Sequence, residues 1–200
     1  MLKSIQKYLI ISVFSLVFIS CNSLKIPGEK IDDKAENYQT SHFTKAEKED
    51  LYQAEIIAFD KNLKGILAVK NYGENHKRIA LVSKLGNTIF DFEFKENKSE
   101  INYIIDDLDR KIIREKLKKY FELLANTAYK INKTYQTESG KILKSKLQGK
   151  SVFLYFDEAE KLYKIRQASI FKEKVEIKLE ENNKLIFQSK ELPIEMIFVR

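Results

Sequence analysis

The side chains able to do chemistry are few and badly spaced for it. The chain of 200 residues has one cysteine and two histidines. That set supports neither a four-ligand structural zinc site nor an internal disulfide framework. A Ser-His-Asp relay would have to draw on His76, in a Gly-Glu-Asn turn, or on His42, in a polar stretch, together with Ser139 or Ser151. Neither histidine sits where a rigid, buried base is expected, and no nucleophile elbow or glycine-rich phosphate loop occurs. Asp106, Asp107 and Asp109 form an acidic group, but the glycine and closing glutamate of a calcium loop are missing, so helix capping is the expected role. The residues thus predict a protein without catalysis, metal or cofactor.

The one distinctive reactive group is Cys21. It follows a start with Lys3 and Lys7 and the apolar run Tyr8 to Ile19, too short for a membrane span of about 20 apolar residues and suited to a secretory leader. The segment Phe18-Ile19-Ser20-Cys21 resembles a bacterial lipobox. The resemblance implies cleavage before Cys21, a diacylglycerol thioether on its sulfur and acylation of the new amino group. Several acyl chains would anchor the protein stably, each buried methylene contributing about 0.8 kcal/mol. The expected organisation is a leader over 1–20, a lipidated cysteine and tether over 21–49 and one domain over 50–200. Asn22, where an Asp would resemble an inner-membrane retention signal, favours the outer membrane.

The formal charge of +7 arises from 36 basic and 29 acidic side chains. These are spread along the whole chain, which predicts a mixed solvated surface and not a nucleic-acid stripe. Arg114, Lys116, Lys118 and Lys119 lie on one helical segment without outward stacking aromatics and read as a solvated face. With 44% hydrophobic residues the body can bury a full core.

The dominant period in that body is two. Phe90, Phe92 and Phe94 share one face of a strand over 88–94; Val175, Ile177 and Leu179 do the same against Lys174, Glu176 and Lys178. Further strands are predicted over 52–59, 63–69, 78–83, 101–105, 151–156, 162–167, 185–189 and 194–199, divided by Asn- and Gly-bearing turns. Between the two groups, Leu108, Ile112, Ile113, Leu117, Tyr120, Phe121 and Leu124 recur at helical spacing. Residues 125–145 remain open among a helix end, a loop and a short strand. The expected fold is mainly β with a helix (α+β): a curved antiparallel sheet or open β-barrel of about ten strands whose concave face an amphipathic helix covers. Such a face is either a packed core or a ligand cavity.

Gly65-Ile66-Leu67-Ala68-Val69, the run Arg78 to Phe90, the Asp-led helix over 106–124 and the ending Leu192-Pro193-Ile194-Glu195-Met196-Ile197 resemble LolB-like outer-membrane lipoproteins, over most of residues 51–199. The resemblance implies an open barrel whose cavity receives the acyl chains of lipoproteins, or another lipid, and assists their insertion in the outer membrane. It also implies a periplasmic lipoprotein carrier as partner and a position on the periplasmic face. Phe90, Phe92, Ile112, Leu117 and Phe121 would line or cover the cavity. Leu85, before Gly86, matches the exposed apolar residue of a membrane-contact loop, with Lys84 where that family has a proline. The alternative is a structural or protein-interaction lipoprotein of the cell envelope with a filled core.

Overall fold

A computed structural model describes residues 26–31, 37–43, 49–73, 76–95, 98–170 and 172–200. The leader and Cys21 lie outside the described residues. Among the described residues fifteen strands are present: β1 (Glu29–Ile31), β2 (Tyr38–Gln39), β3 (Asp50–Ala58), β4 (Lys61–Gly73), β5 (His76–Ser83), β6 (Thr88–Lys95), β7 (Lys98–Ile104), β8 (Ala128–Tyr129), β9 (Ile131–Thr137), β10 (Gly140–Leu147), β11 (Lys150–Phe156), β12 (Leu162–Ala168), β13 (Glu173–Glu180), β14 (Lys184–Ser189) and β15 (Ile194–Val199). One helix, α1 (Lys111–Ala125), stands between β7 and β8. Thirteen strands form one antiparallel sheet in the order β1-β9-β10-β11-β12-β13-β14-β15-β3-β4-β5-β6-β7, and β2 pairs with β8 separately. The sheet is not closed, since β1 and β7 are its two ends.

Mainly β with one helix is therefore the architecture, but with more strands than the ten expected. The additions come from two places. Residues 125–145 are β8, β9 and most of β10, paired as a hairpin from Gly140 opposite Thr137 to Ser145 opposite Ile131. The sequence hides them because β9 has few aliphatic residues and its neighbours supply the pairing. The stretch read as tether supplies β1, which pairs with β9 through Glu29 and Gln136, and β2, which pairs with β8 through Tyr38 and Tyr129.

Alternation builds the inner face. In β3, Tyr52, Ala54, Ile56 and Ala58 are buried while Leu51, Gln53 and Ile57 face solvent. Leu67 and Val69 of β4, Ile79 and Leu81 of β5 and Phe90 and Phe92 of β6 continue the same surface. Contacts of α1 show how far the sheet curls. Tyr120 packs on Phe187 of β14 with ring centroids 5.0 Å apart, and Phe121 packs on Phe90 of β6 at 4.8 Å. Five strand spacings of about 4.8 Å would put β14 and β6 some 24 Å apart in a flat sheet, yet one helix about 10 Å across touches both. The sheet must wrap around it. Register shifts at Leu81/Val82, Tyr155/Phe156 and Gln167/Ala168 add local bend. Gly65 permits the close approach of β5, for a Cβ there would run into the Val82 carbonyl.

The start of α1 differs from the capping expected of the aspartates. Asp106–Leu108 wind as a 3-10 turn, and the helix begins after Arg110 without a side-chain cap. Asp107 instead pairs with Lys61 at 2.6 Å and Asp109 with Arg114 at 2.8 Å.

Candidate functional site: the concave face and its two ends

Because the strands form a meander, their turns sort strictly into two ends. The turns β3–β4, β5–β6, β10–β11, β12–β13 and β14–β15 lie at one end, together with the start of α1; β4–β5, β9–β10, β11–β12 and β13–β14 lie at the other, with the end of α1. The concave face runs between them.

Near α1 this face is tightly filled. Phe90 and Phe92 stack with centroids 4.7 Å apart, and Phe121 meets them at 4.8 and 5.5 Å. Leu117 is buried beside them in the same core. Four of the five expected lining residues are thus brought together. Ile112 is not. It is 70% exposed, because Ile113, Leu117, Tyr120, Phe121 and Leu124 form the buried stripe of α1 and Ile112 falls outside it.

Polar contacts hold α1 at the rim. Glu191 accepts from Lys116 at 2.8 Å and from Lys174 at 2.6 Å. Burial works to raise its carboxyl, but the hydrogen bonds from the two lysines outweigh that and hold it at about 2. The Tyr120 hydroxyl lies 2.7 Å from the Ser189 hydroxyl. At the other end the buried Lys77 ammonium donates to the Ala125 carbonyl at 2.8 Å and to the Thr127 hydroxyl at 3.0 Å. It therefore meets the negative end of the helix dipole, although burial lowers its pKa.

Beyond α1 the face is covered by residues 38–43, which act as a strap. Tyr38 packs edge-on against Phe156 at 4.9 Å, and Thr40 donates its backbone N–H to the Thr127 carbonyl at 2.8 Å. Phe43 is fully buried against Tyr52, at 5.0 Å, and Phe198, at 6.4 Å. Between strap and strands lies a cavity of about 340 Å³, lined by Tyr38, His42, Tyr52, Leu162, Leu185 and Arg200 among others. His42, expected in a tether, is thus part of the fold. Both its ring nitrogens are buried without a hydrogen-bond partner. An orphaned polar group of this kind costs about 1–3 kcal/mol. Burial first, and then the charge of Lys77, push its pKa down to about 4.

The opposite end carries apolar side chains in water. Leu85 is 89% exposed, in a turn where Gly86 takes a φ of +87° and donates to Ser83. Ile170, in the β12–β13 turn, is 77% exposed, and Ile112 joins them from the first turn of α1. Exposed Lys84, Lys111, Lys172 and Lys190 belong to the same end.

The residues weighed for catalysis are dispersed. His76 binds Glu93 at 2.7 Å and stacks on Tyr72, at the strap end. Ser151 is the second residue of β11, at the Leu85 end, and Ser139 sits in the β9–β10 turn. Among the described residues no three His, Cys, Asp or Glu side chains could hold a metal ion, and no helix is long and apolar enough to cross a membrane. Fold and site define a class: an unclosed antiparallel sheet wrapped on one helix, with an apolar inner face and a cavity at one end. No protein family matches the sequence, and no curated protein matches it either.

Proposed function

We propose that this is a lipid-anchored carrier or receptor of the cell envelope that holds the acyl chains of lipoproteins, or of another lipid, and assists their insertion in the outer membrane. Cys21 carries the anchor, and the periplasmic face is the site of action. The observation that carries the reading is the apolar concave face, which one helix and one short strap cover and which ends in the 340 Å³ cavity beneath the strap. The sheet serves as an open barrel, and an acyl chain enters from the cavity and lies along the inner face as α1 yields. Burial of methylenes against Tyr52, Leu162 and the phenylalanine cluster drives binding. Leu85, Ile112 and Ile170, beside their lysines, touch the bilayer, the apolar groups entering the interface and the cations meeting anionic headgroups. A periplasmic lipoprotein carrier is the donor, and no catalytic residue or cofactor beyond the lipid on Cys21 is required.

The test is native mass spectrometry of the full chain in nanodiscs after incubation with an acylated lipoprotein. A retained lipid or lipoprotein mass is expected. An apo mass throughout a lipid titration would contradict the proposal and favour the second reading, an interaction lipoprotein with a filled core. One observation favours that reading: Phe90, Phe92 and Phe121 leave no exposed surface in their cluster.

A further inference from the structure

The concave face ends at the strap in a polar group that no described residue satisfies. His42 lines the cavity with Tyr38, Tyr52, Leu162 and Leu185, yet both its ring nitrogens lack a partner. Neither nitrogen is open to the cavity as the ring stands, so a ligand meets one of them only when the ring turns. Leu179, Lys161, Glu180 and Lys184 border this cavity and also an adjoining surface groove of about 730 Å³, so a chain held inside has a path out.

The electrostatics choose the kind of ligand. With a pKa of about 4 the imidazole is neutral near pH 7, so one nitrogen donates and the other accepts. Most charges at the mouth are already paired: Arg200 with Asp50 at 2.8 Å, Lys184 with Glu180 at 3.0 Å and Glu160 with Lys141 at 2.6 Å. A carboxylate would have to be desolvated beside a neutral ring and a neutralised arginine. The carbonyl oxygen of a secondary amide can accept from a ring N–H without carrying a charge into the cavity.

Resting on the acyl-chain reading above, we infer that His42 binds the amide that joins an acyl chain to the amino terminus of a peptide, with the chain lying along Leu162, Leu179 and Leu185. The site thereby distinguishes N-acylated peptides from free fatty acids. The strap closes over the amide, and the peptide leaves along the groove.

The test uses the full chain in nanodiscs and two photoreactive probes, an N-dodecanoyl dipeptide amide and dodecanoate, each with a diazirine near the end of the acyl chain. The amide probe is expected to label the wild-type protein at half-saturating concentrations about tenfold lower than dodecanoate, the scale of one good hydrogen bond. His42→Leu loses that preference, and His42→Gln, which again presents a donor and an acceptor, restores most of it. Because His42→Leu removes an unsatisfied polar group, its fold is retained, and an unchanged circular dichroism spectrum checks this. Equal labelling by both probes, or a preference unaltered in His42→Leu, overturns the inference while leaving acyl-chain binding intact. Failure of both probes to label the wild type contradicts acyl-chain binding itself.

Discussion

Where α1 lies against β6, three fully buried aromatic rings touch at 4.7–5.5 Å. On the same inner face, under the strap, a cavity remains and an imidazole goes unpartnered. One region is closed like a protein interior. The other keeps both space and an unmet hydrogen-bonding demand. The first is packed core and the second is where the proposed ligand would be recognised; the helix, anchored at Glu191 and Lys77, divides them.

The difference can be broken most severely in the packed region. Phe121→Ala should remove about 3–5 kcal/mol of stability, the scale of a phenylalanine deleted from a full core, read from urea unfolding midpoints. A much smaller loss would mean that this region is as loose as the strap.

The strap region should show itself through pH. A folded His42 pKa near 4, against an ordinary value near 6.5, means that the unfolded chain binds the proton more readily. The buried ring adds no protonation penalty above pH 6.5, and stability falls as pH drops from 6.5 to about 4, by about 3 kcal/mol at 1.36 kcal/mol per unit. His42→Leu should abolish that slope and raise stability at pH 7 by about 1 kcal/mol. Thermal unfolding across pH 4–7 measures both.

Glu191→Gln tests the boundary between the regions. It leaves Lys116 and Lys174 without their carboxylate and should cost about 1–2 kcal/mol at pH 7. Because the carboxyl is held at about 2, its contribution is present above pH 4.5 and fades as pH falls toward 2. The variant should lack that part of the acid loss.

The smallest effect on stability belongs to the exposed end. Leu85→Glu with Ile170→Glu should change stability by less than about 0.5 kcal/mol, since both side chains are in water. The same pair should weaken association with anionic phospholipid vesicles in flotation assays, and unaltered flotation would separate this end from the membrane.

The packed region was the more legible of the two in sequence. Phe90, Phe92 and Phe94 alternate without ambiguity, and α1 carries an apolar stripe between charged residues. Ile112 falls outside the buried stripe because Leu117, Tyr120, Phe121 and Leu124 set a rotation that turns Ile113 inward in the first turn and leaves Ile112 in water. The strap and β9 escaped notice for another reason. Their positions follow from long-range pairing, Tyr38 with Tyr129 and Glu29 with Gln136, which no local period records. His42 became visible as a site residue only when Phe43 was seen to pin the strap to Tyr52.

The central claim, that an acyl chain occupies the concave face beneath α1, is tested most directly by pinning the helix. Lys116→Cys and Glu191→Cys replace side chains that meet at the rim, and a short bis-methanethiosulfonate linker would join them reversibly. In nanodiscs, the linked protein should fail to take up a fluorescent acyl peptide, and reductant should restore uptake to the level of the unlinked variant. Uptake that is equal in the linked and reduced forms would show that the chain does not lie beneath the helix, and would contradict the account.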